Sequence, residues 1–245
     1  MVTSMGTAGI VVVGNEVLSG KVQEENASLL VRELRAVGVE VRRIVVIRDE
    51  LDEIEAEVRL ASARYAHVFT SGGIGSTHDD VTVEGVARAL GLPLVRDPDL
   101  EARIVRHFGA RATASVLRMA DIPEGSELLG RDVLIHPLLK VRNVFVLPGV
   151  PLYFRRKLEF LKPLVAASPI VLRQLFVRVG EEIVGDVMRA ALVAEPAVEI
   201  GSYPRFDDAD HRVRITVESR DAAAVERALA FLVARVAPSD VVRVE

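Results

Sequence analysis

Short β-branched runs that stop at glycine alternate along this chain with segments of helical period, and this alternation restricts the fold more than any other feature. "GIVVVGNE" (9–16) is a compact apolar run closed by Gly14, which predicts a buried strand. Ala27, Leu30, Leu34 and Val37 then recur at helical spacing, with Gly38 where a C-terminal cap belongs. "VEVRRIVVI" (39–47) predicts a second strand. Asp49 can cap a helix whose apolar face is Leu51, Ile54, Val58 and Ala61. "HVFTS" (67–71) is a third strand, and Val83, Val86, Ala87 and Leu90 form a third helix face that stops at Gly91. Strands alternating with helices predict an α/β fold around a mainly parallel sheet.

Asp97-Pro98 starts a further helix, with proline at its first position. Residues 111–142 carry a weaker pattern, in which "DVLIH" (132–136) reads as a strand. "VFVLPG" (144–149) is a strand ending in a Pro-Gly turn, followed by a helix from about Pro151 to Leu161. The pattern changes at "KPLVAASP" (162–169). Beyond it the order is strand (171–179), helix (181–193), strand (198–203), strand (211–218), helix (221–236) and strand (240–244). That β-α-β-β-α-β order is a split βαβ subdomain. We therefore divide the chain into residues 1–165 and 166–245. Aromatic residues make up only 4% of the 245 residues and Trp is absent, so aliphatic side chains must fill both cores.

The formal net charge is −4, which argues against a protein built to coat nucleic acid or an anionic membrane. With no Cys, thiolate metal sites and cysteine nucleophiles are excluded. No apolar run approaches the ~18 residues of a membrane span, and the start of the sequence lacks a basic signal-peptide region. The expectation is a cytoplasmic protein.

In open α/β sheets, ligands bind beyond the carboxyl ends of the strands. Three loops leave such ends here: "GNEVLSG" (14–20), "SGGIGSTHDD" (71–80) and "LPGVP" (147–151). In the middle loop Gly72, Gly73 and Gly75 let backbone approach a ligand, so that successive N–H groups form an anion nest. Ser71, Ser76 and Thr77 add hydroxyls. The loop lacks the Gly-Lys-Ser/Thr of a P-loop and the G-x-G-x-x-G of a dinucleotide fold. Positive charge must come from elsewhere. Asp79 and Asp80 supply a route to it: a divalent metal (Mg²⁺, Mn²⁺ or Co²⁺) held by both would bridge to a phosphate.

Structural readings compete. Thr77-x-x-Asp80 also matches a helix-start capping box, whereas Asp79 has no such alternative. Glu16 either contacts ligand or is a solvated acid at a strand end. Asn26 either binds ligand or caps the first helix, with capping the commoner role for its type. Pro148 and Gly149 either wall a pocket or make the turn into the next helix. In "GSYPRFDDADH" (201–211), Tyr203 and Arg205 are candidate ligand contacts. Asp207, Asp208 and His211 are more simply a solvated hairpin than a metal site.

Taken together, "GNEVLSGKVQEENASLL", "TSGGIGSTHDDVT" and "LPGVP" resemble the N-terminal domain of the CinA family, within the MoaB/Mog molybdopterin-binding superfamily. "TAGIVVVGNEVLSG", "VRNVFVLPGVP" and "GSYP" resemble in particular the molybdopterin-binding-like domain of eukaryotic FAD synthases. The resemblance covers essentially the whole chain. It implies a three-layer αβα sandwich with a mixed, mainly parallel sheet, plus a small α/β subdomain. It also implies metal-dependent hydrolysis of the diphosphate in ADP-ribose or an FAD-like nucleotide, or else binding of a pterin phosphate without cleavage. It further implies a homo-oligomer. The positions it carries over are Asn15, Glu16, Asn26, Gly72, Gly73, Gly75, Thr77, Asp79, Asp80, Pro148, Gly149 and Pro151. Ser76 stands where the family usually has proline. The amidohydrolase domain often found after CinA domains and the FAD-forming domain of the synthases have no counterpart in this sequence, so neither of those activities is expected of it. A nucleic-acid role for residues 166–245 finds no G-x-x-G clamp, since "VGEEIVG" (179–185) is acidic.

Overall fold

A computed structural model of the chain describes residues 6–206 and 210–245. It divides into two compact units, Met1–Ala167 and Ser168–Glu245. The first opens with β1 (Thr7–Val13), the single turn α1 (Asn15–Leu18), α2 (Asn26–Ala36), β2 (Glu40–Ile47), α3 (Leu51–Arg64), β3 (His67–Ser71) and α4 (Thr82–Leu90). It continues through β4 (Leu94–Arg96), α5 (Pro98–Phe108), α6 (Ala114–Leu117), β5 (Asp121–Pro123), β6 (Glu127–Leu129), β7 (Leu138–Val141), β8 (Val144–Leu147) and α7 (Pro151–Val165). The six-stranded sheet has the order β2-β1-β3-β8-β7-β6. Its first four strands are mutually parallel, and β7 and β6 run antiparallel to their neighbours.

The pleat of β1 sorts its side chains between two cores. Ala8, Ile10 and Val12 face one layer, where they pack with Leu30 and Leu34 of α2 and Phe154 and Leu158 of α7. Val11 and Val13 face the other, with Ile54 and Val58 of α3, Val86 of α4 and Ile104 of α5. A sheet covered on both faces explains why β1, β3 and β8 read as continuous apolar runs instead of alternating ones. Helices stop where glycine permits a left-handed turn: Gly91 (φ 65°) donates to Arg88 O, and Leu92 N reaches back to Ala87 O.

The expected strand at 132–136 is absent. Gly130 (φ 72°) turns the chain, and its carbonyl accepts from Val133 N and Leu134 N, so this backbone bonds within its own turn. Val133 and Ile135 consequently point outward, and the strand begins later, at Leu138.

The second unit contains β9 (Val171–Val177), α8 (Glu181–Ala194), β10 (Glu199–Pro204), β11 (Val213–Ser219), α9 (Ala222–Val233) and β12 (Val241–Val244). Its sheet order, β10-β11-β9-β12, is antiparallel throughout. Leu175, Val177, Val213, Ile215 and Val217 face α8 and α9, which supply Val184, Ala228 and Leu232. Asp221 caps α9 by accepting from Ala223 N and Ala224 N. Within the described residues no helix is long and apolar enough to cross a membrane.

One charged side chain lies inside the first unit. Lys157 of α7 is 5% exposed, and its only acceptor among the described residues is Pro137 O at 3.1 Å. Burial lowers its pKa from 10.5 to about 8. The unfolded chain thus holds the proton to higher pH than the folded one, so the charge penalty applies in full below about 8 and fades as pH rises to 10.5. Lys157→Met is expected to stabilise the protein at neutral pH by roughly 1–3 kcal/mol. Denaturant titrations in phosphate-free buffer at a series of pH values should show that gain shrinking across the same window.

Candidate functional site at the carboxyl rim of the sheet

The four parallel strands end at Val13, Ile47, Ser71 and Leu147, and their loops meet on one rim. The contact between them is backbone on backbone. Gly72 has φ 103°, and its N–H donates to Leu147 O at 3.1 Å. A Cβ on Gly72 would stand 2.1 Å from Val13 O, and one on Gly149 would stand 3.4 Å from the Gly72 Cα. Only glycine fits at position 72, both for its φ and for the space.

Asn26 ties this junction together and does not cap its helix. It is buried, the first residue of α2, and its Nδ2 donates to Gly149 O at 2.7 Å and to Ser71 Oγ at 3.3 Å. Ser71 Oγ donates in turn to Pro148 O at 3.4 Å. The α2 N-terminus is instead satisfied by Glu24, which accepts from Ala27 N at 2.9 Å and 3.0 Å. Pro148 is buried under the junction, and Pro151 opens α7.

The glycine loop differs from the sequence reading in two residues. Gly72 offers no donor to an anion, because its N–H is already in the sheet ladder. Asp80 is engaged within the loop: its Oδ2 accepts from Thr77 N at 2.8 Å and from the Thr77 hydroxyl. Helix α4 begins two residues later, at Thr82, without a side-chain cap, so this bond braces the loop and is not a helix cap. Between these fixed points, no described residue accepts from the N–H groups of Gly73, Ile74, Gly75 or Ser76. Four successive unpaired donors are what an anion nest requires. Thr82 adds a fully buried hydroxyl with no partner among the described residues, and a Cβ on Gly73 would stand 2.3 Å from it.

Acids surround the nest. Asp79 is half-exposed; its carboxyl is held below the usual range by the Thr77 hydroxyl, then by its own N–H, with His78 contributing. His78 is almost fully exposed, its Nδ1 3.9 Å from Asp79 Oδ1. Glu16 lies exposed at the end of β1. Asp49 is the residue that sequence reasoning misplaced. It does not cap α3, whose first turn begins at Leu51 after Glu50; its Oδ2 accepts from Asn15 N at 2.7 Å. Burial raises its pKa, and the charges of Glu16 and Asp79 raise it further, which brings all three carboxylates into one electrostatic field. The available signal was positional: Asp49 directly follows the strand beside β1, on the same rim. No three His, Asp or Glu side chains among the described residues stand together in ligand geometry.

In the second unit Tyr203 is about half-exposed, with the Arg214 guanidinium 4.7 Å above its ring. His211 is buried edge-on against Phe176 at 4.9 Å and pairs with Asp210 at 3.1 Å, so it serves the packing of this sheet. Asp207 and Asp208 lie outside the described residues.

A parallel-stranded αβα unit with a glycine-rich loop at the carboxyl rim of its sheet places the chain in a recognisable class. Residues 9–167 match the family described as probable molybdopterin binding domain, and the chain belongs to that family. Residues 169–245 match the FAD synthase middle domain. A protein from Archaeoglobus fulgidus is 33% identical, over 90% of this chain and 93% of its own length. A probable FAD synthase from Caenorhabditis briggsae is 31% identical over 90% of this chain, which spans only 47% of that relative. The crystal structure of the CinA protein from Thermoplasma acidophilum superposes with a TM-score of 0.61 at 36% identity, covering 65% of this chain and 98% of that one.

The junction makes a contrast testable. Gly72→Ala adds a clash with backbone to an unfavourable φ and is expected to cost more than about 3 kcal/mol. Gly91→Ala, at φ 65° with open space around it, should cost only about 1 kcal/mol. Urea denaturation of the two variants reads the difference directly.

Proposed function

We propose that this chain is a metal-dependent nucleotide diphosphatase acting on ADP-ribose or an FAD-like dinucleotide. The observation that carries the reading is the run of four N–H groups, Gly73 to Ser76, without a partner among the described residues, on a rim where the charges of Glu16 and Asp79 act on the Asp49 carboxyl. The first feature suits a phosphate and the second suits a cation, so a diphosphate and a divalent metal together resolve what neither would alone. The kinship with FAD synthases supports a nucleotide as substrate.

Each residue then has a part. The nest donates to non-bridging phosphate oxygens, where developing charge on phosphorus gains most from fixed donors. Asp80 keeps the loop in shape through Thr77, and Asn26 holds the loop against Gly149. Asp79 and Asp49 would hold a divalent cation: Asp49 is raised above its usual pKa first by burial and then by the charges of Glu16 and Asp79, which a cation would offset. Such a cation, when bound, shields the diphosphate and acidifies water. Asp49 also takes the proton from the attacking water. The water oxygen bonds to one phosphorus as the bond from that phosphorus to the bridging oxygen breaks; the bridging oxygen leaves with the second phosphate, giving two monophosphates.

The expected result is that ADP-ribose or FAD, incubated with Mg²⁺, Mn²⁺ or Co²⁺, yields mononucleotides by mass spectrometry, and that EDTA stops the reaction. Asp79→Ala and Asp49→Asn should each lower kcat by about 100-fold or more. No mononucleotide from either substrate with any of these metals would sink the hydrolytic reading. Retained, EDTA-insensitive binding of a pterin phosphate without turnover would replace it with a carrier role, which the molybdopterin family match supports. The same kinship favours a homo-oligomer, to which the exposed Ile44 and Val46 of edge strand β2 would contribute apolar surface; sedimentation of the intact chain should show more than one copy.

A further inference from the structure

Because β7 runs antiparallel to β8, it begins on the rim where β8 ends, and the 130–137 connection lies there against α5 and α7. Three basic side chains gather on that connection. Lys157 Nζ, 5% exposed, donates to Pro137 O and to nothing else among the described residues, which leaves two of its three ammonium donors unmatched. His136, the neighbour of Pro137, is half-buried, and its ring lies 6.5 Å from that of His107 and 6.3 Å from Phe108. His107, near the end of α5, is exposed. The three therefore grade from solvent to interior.

Among the described residues no carboxylate forms an ion pair with them. Asp132 and Glu159, the acids nearest along the chain to His136 and Lys157, make none with the three, and the acids at the start of α5 are matched by arginines: Asp99 accepts from Arg103 at 2.9 Å and Arg131 at 3.0 Å, and Asp97 lies 3.7 Å from Arg131. Burial, then the charges of Lys157 and His107, push His136 down to about 4. Buried ammonium donors without acceptors are unfavourable, and a bound anion relieves them. Lys157 also stands within a turn or two of the Gly149 junction along α7, in a protein whose glycine loop contains no cation of its own.

We propose that His107, His136 and Lys157 form an oxyanion site that takes a phosphate group, free or carried by a nucleotide. Its existence does not depend on the diphosphatase activity. Phosphate entering past His107 hydrogen-bonds the His136 ring and the two open donors of Lys157, and holds both in their charged forms.

Histidine ring resonances of ¹⁵N-labelled full-length protein test this. Inorganic phosphate is expected to raise the pKa of His136 by about one unit or more, while chloride at equal ionic strength leaves it in place. Lys157→Met, which keeps the side-chain length, should weaken phosphate binding by about tenfold or more, and His136→Gln should do the same by calorimetry. AMP producing the same shift would assign the site to a nucleotide phosphate; a response to inorganic phosphate alone would assign it to the free anion, and either supports the site. Equal His136 titration in phosphate and chloride, or phosphate affinity unchanged in folded Lys157→Met, would overturn the proposal.

Discussion

The candidate site depends on one close approach: backbone against backbone where β1, β3 and β8 end. Gly72 sits with its Cα against Val13 O and beside Gly149, and its N–H continues the ladder to Leu147 O. Any side chain there would push the three strand ends apart. Because the junction is closed by covalent geometry and ladder bonds, the loops that leave it start from fixed points. Asn26 adds a buried side-chain bond across the same seam, which links α2 to the turn before α7. The glycine loop between them is therefore anchored at its start by contacts within the protein.

Local consistency fails on this rim in a way that points to function. Elsewhere charges are matched in pairs: Arg96 with Asp121 and Glu101, Arg227 with Glu195, Lys162 with Glu33. At the rim, loop donors without a partner among the described residues stand near an Asp49 carboxyl raised by burial and by the charges of Glu16 and Asp79, and the buried Thr82 hydroxyl likewise has no partner among them. Proteins retain such conflicts where something else resolves them. The basic trio at 107, 136 and 157 is a second conflict of opposite sign, located where β7 begins.

Much of the architecture was legible from pattern. Strand β3 was read with the boundaries it has, and the β-α-β-β-α-β order of the second unit was read in full, because both rest on hydrophobic period and turn residues, which are local. The failure at 132–136 has a local cause as well: an apolar run resembles a strand until the turn bonds to Gly130 take its donors. The site residues were recognised as a set more readily than by role. Gly72, Asn26 and Asp80 proved to hold the site together, whereas Asp49, read as a cap, stands inside it.

The sequence by itself determined the layers, the parallel core of the sheet and the rim where chemistry gathers, since strand ends, glycine and loop acids are all marked along the chain. Only the tertiary structure decided which donors remain open. A hydrogen bond such as Gly72 N to Leu147 O joins residues far apart in sequence, and so does the bond from Asn15 N to Asp49. Whether a group is free for a ligand depends on its partners in space, and residue order carries no direct record of them.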